Sequence, residues 1–325
     1  ELTATGEITG PYESPFMEGH ESIQSDFVQS AELCGSCHDV FNYPGLRIEE
    51  AYTEYSSSPA KDMGLTCQDC HMGSVPGTVS ERPVEPIAVV EGKVYPDRKR
   101  SSHRFIGPDY SLLDEFPYPD DLERSQRAQQ DMFEQITVLL RNAIELGDVK
   151  IDRSSGAPVL SVTMQSLTSG HNVPTGFTSE RQLWLDVVVR NTAGTELFSS
   201  GQLDSYGDLY DNHSWEVAAD PDKADEQLVN LQSKNKMRFG ELELPNTTET
   251  TFPMDADYIE KHSLRPLETR VVSYELPHFV GQQALQVDVQ LKYRNLPPYI
   301  LRELQLEELV DRLQVFTIDE VTWIE

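Results

Sequence analysis

One stretch in the middle of the chain has the residue spacing of an amphipathic helix. In residues 120–147 the apolar positions recur at intervals of three and four, which would place them along one side of a helix. These positions are Met132, Phe133, Ile136, Leu139, Leu140, Ala143 and Ile144. Asp120 and Asp121 are suited to cap its start, and Gly147 is suited to end it. The pattern predicts a long helix whose apolar side packs on a neighbouring part of the protein.

The alternation of apolar and polar residues after position 149 predicts β-strands instead. Four segments bounded by turn residues show this alternation: APVLSVTMQSL, RQLWLDVVVRN, ETRVVSYEL and QALQVDVQLKYRN. Because no helical segment separates consecutive strands, we expect antiparallel pairing and a β-sandwich. Near the end of the sequence, PPYILRELQLEELVDRL predicts one further amphipathic helix that begins at Pro297–Pro298.

The first 120 residues show little periodicity and are rich in Gly, Pro, Ser and Tyr. This composition predicts short helices joined by long loops, with a small hairpin around VVEGKV. The predicted fold class is therefore α+β. A loop-rich, partly helical domain at residues 1–148, ending in the long helix, would be followed by an antiparallel β-sandwich domain at residues 149–325 with a short C-terminal helix. A chain of 325 residues is long enough for two such domains.

The charge balance narrows the choice of partners. The chain has 26 basic and 55 acidic residues, which give a formal net charge of −29 at pH 7. Such a chain is repelled by nucleic acid and by anionic membrane surfaces, so nucleic-acid binding is not expected. The acidic surface serves either solubility or the docking of a basic partner, and the composition does not separate the two. No apolar run is long enough to predict a transmembrane segment.

All four cysteines lie in two Cys-x-x-Cys-His segments, Cys34–His38 and Cys67–His71. Disulfide bonds would use the even number of cysteines, but they give no reason for a histidine after each pair. A zinc site is a second alternative, although the 29 residues between Cys37 and Cys67 exceed the usual spacer of about 15–20. Thioredoxin-like redox pairs are expected near a βαβ pattern, which this region lacks.

Covalent haem attachment accounts for every residue of the pattern. Two thiols one helical turn apart can add to the two vinyl groups of a porphyrin, and the imidazole of the next residue then ligates the iron. The sequence therefore predicts two covalently bound c-type haems. The predicted attachment and ligand residues are Cys34, Cys37, His38, Cys67, Cys70 and His71. Zinc held by the four thiolates remains the alternative.

The haem prediction also has a consequence for location. Covalent attachment of c-type haem takes place outside the cytoplasmic membrane, so we expect a periplasmic, cell-surface or secreted protein. The sequence begins at Glu1 rather than at a methionine. That start matches the residue left by signal-peptide cleavage, and it matches a fragment equally well.

A second axial ligand would close each iron for electron transfer, whereas an open position would allow binding or catalysis. Three histidines are candidates. His20 lies fourteen residues before Cys34 and could fold back over the haem plane. His103 lies in the basic segment RKRSSHRFIG, whose cations could pair with propionates, and His171 lies in the turn SGHNVPTGF. The remaining histidines are expected at the surface: His213, His262 and His278. Methionine near the motifs is an alternative ligand, and bis-histidine ligation is favoured for both irons.

Several segments together resemble the multihaem c-type cytochromes of bacteria and archaea that carry a C-terminal β-sandwich. The segments cover most of the chain and are LCGSCHDV, GLTCQDCHMG, HRFIG, SGHNVPTGFTSERQLWLDVVV and RNLPPYILREL. The resemblance implies a periplasmic or extracellular electron carrier with mostly bis-histidine haems, often part of a larger complex or filament. This sequence has two haem motifs where many such proteins have four or more.

Three functions are compatible with these features. The first is electron transfer through two haems to redox partner proteins or extracellular acceptors. It is preferred because no Ser–His–Asp constellation, phosphate-binding loop or His-Glu-x-x-His helix is visible. The second is a haem redox enzyme, or a subunit of one, in which one iron stays open. The third is a structural subunit of a cytochrome filament or surface complex.

Overall fold

The computed structural model describes residues 7–11, 22–154, 157–239, 246–280 and 284–325. The fold is α+β and loop-rich, as the sequence predicts, with short helices and many antiparallel strands. The helices of the described residues are α1 Ala31–Gly35, α2 Ala51–Ser56, α3 Pro59–Asp62, α4 Cys67–His71, α5 Leu122–Arg141, α6 Trp215–Ala219 and α7 Pro298–Glu303. None of these described helices combines the length and the apolar character needed to cross a membrane.

The strands are numbered in chain order over the same described residues. Before α5 they are β1 Ile8–Gly10, β2 Ser22–Gln24, β3 Val40–Phe41, β4 Arg47–Glu49, β5 Val84–Pro86, β6 Val89–Val90, β7 Lys93–Val94 and β8 Asp97–Lys99. After α5 they are β9 Ile144–Asp152, β10 Val159–Ser166, β11 Gln182–Asn191, β12 Glu196–Ser200, β13 Lys234–Phe239, β14 Asn246–Glu249, β15 Tyr258–Glu260, β16 Thr269–Glu275, β17 Leu285–Arg294 and β18 Phe316–Ile324.

Two antiparallel sheets supply most of the buried core. One sheet has the strand order β16–β10–β9, and the other has the order β12–β11–β17–β18. In the pairing of β11 with β17, Leu183 lies opposite Tyr293 and Val189 lies opposite Val287. Buried side chains of both sheets form one hydrophobic cluster, which includes Leu160, Val162, Met164, Leu185, Val187, Val289 and Leu291. The apolar positions of the alternating pattern are therefore the buried face of each strand.

The helix α5 begins where the sequence predicts but ends earlier. The Asp121 carboxylate caps its start by accepting a hydrogen bond from the Arg124 N–H at 3.0 Å. The helix ends at Arg141, so the prediction that Gly147 ends it was wrong. Gly147 lies in β9, where the register with β10 shifts at a bulge. A glycine suits this bulge because an added Cβ would lie 3.2 Å from the side chain of Thr163.

The C-terminal segment differs from the single helix that the sequence predicts. Helix α7 ends at Glu303, and a separate 3-10 turn follows at Glu307–Arg312. Gln305 between them has a φ of 59°, which interrupts a right-handed helix, so the prediction of one continuous helix was wrong. Strand β18 then follows and was not predicted. It pairs antiparallel with β17 and forms an edge of the larger sheet.

The region of the two motifs contains short helices, small hairpins and loops, as predicted. The hairpin expected around VVEGKV is present, with Val89 of β6 opposite Val94 of β7. A small hydrophobic cluster in this region consists of Ala31, Tyr55 and Ala60, with Tyr52, Leu65 and Cys67 packed against it. The polypeptide around the motifs therefore supplies little core of its own.

The helix α5 is packed on the two sheets. Ile136 and Leu140 belong to the same buried cluster as the sheet residues. The division into domains at residues 1–148 and 149–325 stays a prediction. Strand β9 begins at Ile144, before that division, so a cut at 148 would remove part of a strand as well as α5.

Polar contacts also join the motif region to the sheets. The buried amide of Asn42, next to β3, donates hydrogen bonds to the main-chain carbonyls of Pro253 and Ala256, both at 3.1 Å. The Lys261 ammonium pairs with the Glu50 carboxylate at the start of α2. These contacts place α2 beside the second half of the chain.

Replacing Ile136 by alanine tests how α5 packs. Ile136 is fully buried, and its truncation should lower the free energy of unfolding by about 2–5 kcal/mol because it leaves a cavity. Val138 on the same helix is 38% exposed, so Val138→Ala should change that free energy by about 0.5 kcal/mol or less. Denaturant unfolding followed by circular dichroism measures both values. Equal losses from the two changes would contradict the packing of α5 on the sheets.

Candidate functional site

The first Cys-x-x-Cys-His segment begins at the end of one short helix, and the second forms another. Cys34 belongs to α1, and the whole second segment, Cys67–His71, forms α4. The two helices are joined by a hydrogen bond of 2.7 Å from the Gln68 side-chain amide to the carbonyl of Ser30, which precedes α1. Each motif therefore starts on a helical turn, which brings its two thiols to one side of the chain.

Helix α4 is held at its start by local polar contacts. The Thr66 N–H donates to the Asp69 carboxylate at 2.8 Å, and the Thr66 hydroxyl completes a capping box. The Arg82 guanidinium donates to the same Asp69 carboxylate at 3.0 Å and to the Gln68 carbonyl at 2.9 Å. The orientation of the second motif is thus fixed by the segment that follows it in the sequence.

The first cysteine of each motif, Cys34 and Cys67, has its side chain beside that of the other. The thiols of Cys34 and Cys67 lie next to each other, which lowers the pKa of the Cys34 thiol. The same contact, together with burial, raises the pKa of Cys67. Cys37 is exposed, Cys70 is half-buried, and burial raises the pKa of Cys70. All four thiols are free, so each remains available for covalent attachment.

Gly35, the first variable residue of the first motif, lets α2 pack on α1. A Cβ at this position would lie 2.5 Å from the ring of Tyr52. The Tyr52 N–H donates to the His38 carbonyl at 2.9 Å, which keeps the ring in this place. The Thr53 hydroxyl donates to the Asp39 carboxylate at 3.0 Å. Helix α2 is thereby attached to the first motif at several points.

His171 faces His71 of the second motif. The centroids of the two imidazole rings lie 6.2 Å apart, and the ring planes are inclined by 24°. A metal–nitrogen bond of about 2 Å on each side would separate two imidazole centres by roughly 6 Å. The sequence offers His171 as one of three candidates, and the structure brings it to the second motif.

The two rings are in the state that metal ligation requires. The Nδ1 of His171 lies 2.9 Å from the Asn172 carbonyl and donates to it, because a carbonyl oxygen can only accept. His71 lies beside the main chain of Ile106. The Nε2 of His171 is left for a metal. Burial lowers the pKa of His171 to about 4 and also lowers the pKa of His71, so both rings are neutral at pH 7.

The loop between β10 and β11 carries His171 from the sheets to the motif helices. On the helix side, the Ala60 N–H of α3 donates to the Ser169 carbonyl at 3.0 Å. On the sheet side, Val173 and Leu264 exchange two main-chain hydrogen bonds of 2.8 Å each. His171 is therefore held between two attached points of one loop.

His38 of the first motif has a different environment. Its side chain is 67% exposed, and its Nδ1 lies 3.9 Å from the Glu49 carboxylate, which is 4% exposed. Burial raises the pKa of Glu49, and its Oε2 has no hydrogen-bond partner among the described residues. A carboxylate beside an imidazole can accept its N–H and orient the ring as a ligand. Among the described residues, His171 has its ring facing that of His71, and not that of His38.

The other two predicted distal ligands remain predictions. His103 is exposed, and its Nδ1 donates to the Ser101 carbonyl at 3.1 Å. The preceding residue, Ser102, donates its N–H to the Met72 carbonyl at 2.9 Å, so this segment borders α4. His20 lies outside the residues that the structure describes.

The expectation that His213 lies at the surface was wrong. Its side chain is 11% exposed and contacts the carboxylates of Asp211 and Glu249, each at 3.3 Å. The ring also stacks on Tyr299, with centroids 3.8 Å apart. Because Glu249 and Tyr299 are distant in sequence, the residues around His213 carry no signal of this burial.

The donor set fits an iron-bearing macrocycle. Each motif offers two free thiols followed by an imidazole, and the second motif also has a neutral imidazole opposite its own. Within residues 7–11, 22–154, 157–239, 246–280 and 284–325, no group of three His, Cys, Asp or Glu side chains is arranged to hold a bare metal ion. The chemistry that these residues support is thioether attachment with axial ligation by nitrogen.

The fold is similar to that of a solved penta-heme cytochrome c552 from Thermochromatium tepidum. The two structures superpose with a TM-score of 0.55 and 18% sequence identity, over 93% of this chain and 58% of the other. This chain thus spans less than two thirds of the length of that cytochrome. No protein-family model matches the chain, and no curated protein sequence matches it significantly. At this identity the likeness shows a fold like that of a multihaem c-type cytochrome.

Changing Gly35 to alanine tests the packing of α2 on the first motif. The new methyl group would overlap the Tyr52 ring, so the free energy of unfolding should fall by about 1–3 kcal/mol through overpacking. Gly107→Ala is the matched control, since nothing lies within 4 Å of a Cβ at that position. Thermal unfolding measures both variants. An unchanged midpoint for Gly35→Ala would contradict the close approach of Tyr52.

Proposed function

We propose that this protein is an extracytoplasmic dihaem c-type cytochrome that transfers electrons. The observation that carries the proposal is the His71–His171 pair next to the free thiols of Cys67 and Cys70. Two neutral imidazoles with centroids 6.2 Å apart, beside two thiols, could hold a haem through two thioether bonds and two imidazole ligands. An iron closed in this way leaves no position for a substrate, which favours electron transfer over catalysis.

Each motif would hold one haem. The residues proposed for the first haem are Cys34, Cys37 and His38, and those for the second are Cys67, Cys70, His71 and His171. When bound, each haem supplies a reversible one-electron change at its iron. The polypeptide would fix the ligand rings and keep them neutral through partial burial. His103 and His20 remain the candidates for the distal position of the first haem.

The contact between the two motifs supports exchange of electrons within the chain. Cys34 and Cys67 belong to different motifs, and their thiols are close enough to influence each other's pKa. If each thiol carries a different haem, the attached edges of the two macrocycles lie next to each other. This proximity favours one conducting pair over two independent sites.

The charge of the chain supports a role in partner selection. A net charge of −29 would steer positively charged redox partners towards this protein and repel acidic ones, with the largest effect at low ionic strength. The proposed partners are redox proteins or extracellular electron acceptors. Electrons would pass to these partners directly, or through a self-assembled or larger multihaem complex.

One observation favours a second candidate function, a haem redox enzyme or enzyme subunit. The His38 side chain is 67% exposed, and an iron bound to it without a second protein ligand could accept an exogenous one. Carbon monoxide binding to the reduced protein separates the two functions. Binding at one haem would favour the enzyme, and no binding would favour electron transfer.

Haem content is the first expected outcome. Denaturing mass spectrometry should give the polypeptide mass plus two haems, because thioether bonds survive unfolding. Cys70→Ser should weaken or abolish attachment of one haem and leave the other. Ser36→Ala, which changes an exposed residue of the first motif without removing a thiol, should retain both. A polypeptide that carries zinc, or no added mass, would contradict the proposal.

Axial ligation is tested by replacing His171 with alanine. One haem should become high-spin, because its iron loses the imidazole opposite His71, and optical and paramagnetic resonance spectra measure the change. His278→Ala is the control, since His278 is exposed on the sheet side of the chain. His103→Ala and His20→Ala, made singly, test the other haem. Fully low-spin spectra after His171→Ala would exclude His171 as a ligand.

A further inference from the structure

The Glu54 carboxylate of α2 binds the loop that carries His171 through three hydrogen bonds. Its Oε2 accepts from the Asn172 N–H at 3.1 Å and from the Thr175 hydroxyl at 2.6 Å. Its Oε1 accepts from the Asn172 side-chain amide at 2.7 Å. Asn172 is adjacent to His171 in sequence, so two of these bonds act directly beside the proposed ligand.

These bonds explain why a carboxylate is tolerated at this half-buried position. Burial raises the pKa of Glu54, and the hydrogen bonds from Thr175 and Asn172 oppose that rise. Hydrogen bonds to a charged group are stronger than those between neutral groups. Three hydrogen bonds to one side chain therefore hold the loop to α2.

The opposite side of the loop is fixed as well. The Arg181 guanidinium donates to the Thr175 carbonyl and forms an ion pair with Asp109 at 2.6 Å. The loop is thus bound by an anion on one side and by a cation on the other. A backbone clamped at Asn172 and Thr175 leaves His171 little freedom to move relative to His71.

Helix α2 also contacts the first motif. Tyr52 packs on Gly35, and Thr53 donates to Asp39, so three consecutive residues of α2 bind the first motif and the loop of the second. A displacement of α2 would therefore change the position of His171 relative to both motifs.

We infer that Glu54 is a positioning residue, which holds the His171 imidazole at ligating distance from the iron bound to His71. This inference rests on the proposed function, because it needs a haem at the second motif. Glu54 itself does not contact the iron. Its action passes through Asn172 and the main chain of the loop.

A charge-swap series tests the inference in the full-length protein with its haems. Asn172→Asp places a second carboxylate against Glu54, and at pH 8 the two repel each other. Adding Glu54→Gln to that variant restores the pairing, since the new amide can donate to the new carboxylate while its oxygen accepts from the main-chain N–H of position 172 and from Thr175. Glu54→Gln alone should be mild, because the Asn172 amide can turn. Asp62→Asn on α3 is the control for loss of an exposed carboxylate.

The readouts are the fraction of high-spin haem, its pH dependence and the midpoint potential of each haem. We expect Asn172→Asp to produce a high-spin signal from one of the two haems at pH 8, and the double change to remove it. Glu54→Ala should give the same signal as Asn172→Asp. Thermal unfolding of each variant separates a displaced ligand from a protein that has lost its fold, and a folded high-spin Asn172→Asp protein supports the inference.

The outcomes distinguish the inference from the function on which it rests. Wild-type spectra and potentials in both Asn172→Asp and Glu54→Ala, together with a high-spin His171→Ala protein, would overturn the role of Glu54 and leave the function standing. A double variant as high-spin as Asn172→Asp alone would also overturn it. A wild-type protein without haem, or a low-spin His171→Ala protein, would instead reject the proposed ligand pair.

Discussion

The loop that joins β10 to β11 is the element on which the proposed site depends, because it carries His171 from a well-packed sheet to a region with little core. A loop residue keeps a fixed position only if the backbone on both sides is bound. Here the backbone is bound by Glu54 at the Asn172 N–H, by Arg181 at the Thr175 carbonyl, and by the hydrogen bonds between Val173 and Leu264. The sheet holds one part of the loop in place, and the contacts with α2 determine where the loop positions His171.

The motif region is stabilised by its surroundings more than by its own side chains. Its small cluster around Tyr55 could not offset the conformational entropy of a segment this long. Two further sources remain. One is the contact with the sheets through Asn42 and the Glu50–Lys261 pair. The other, under the proposed function, is the pair of haems, each bonded to the chain at two cysteines, which would act both as core and as cross-links. On this view, folding of the motif region and attachment of haem depend on each other.

Local sequence patterns predicted most of the strands and the long helix. They predicted few of the features that depend on contacts between residues far apart in the sequence. The alternation of apolar and polar residues identified β10, β11, β16 and β17, because each of these strands buries one face. The two Cys-x-x-Cys-His motifs were recognised because their cysteines and histidine lie within five consecutive residues. Strand β18 was missed although Phe316 and Ile318 alternate, since the acidic residues that follow weaken the pattern. Gly147 was assigned to a helix end because a glycine at a bulge looks the same in sequence. The loop that places His171 beside His71 is bound by Glu54, which is more than a hundred residues away in sequence.

The two motifs share the two cysteines and the histidine that are proposed to hold haem, yet the residues between their cysteines make different contacts. In the first motif, Gly35 must lack a side chain because Tyr52 occupies the space above it. In the second, Gln68 at the equivalent position is buried and donates to the carbonyl of Ser30, which precedes the helix of the first motif. The motifs are therefore not interchangeable modules. A chimera that copies one over the other would keep every cysteine and histidine and still lose the fit between the helices, so grafting haem sites between such proteins requires transfer of the spacer residues together with their neighbours.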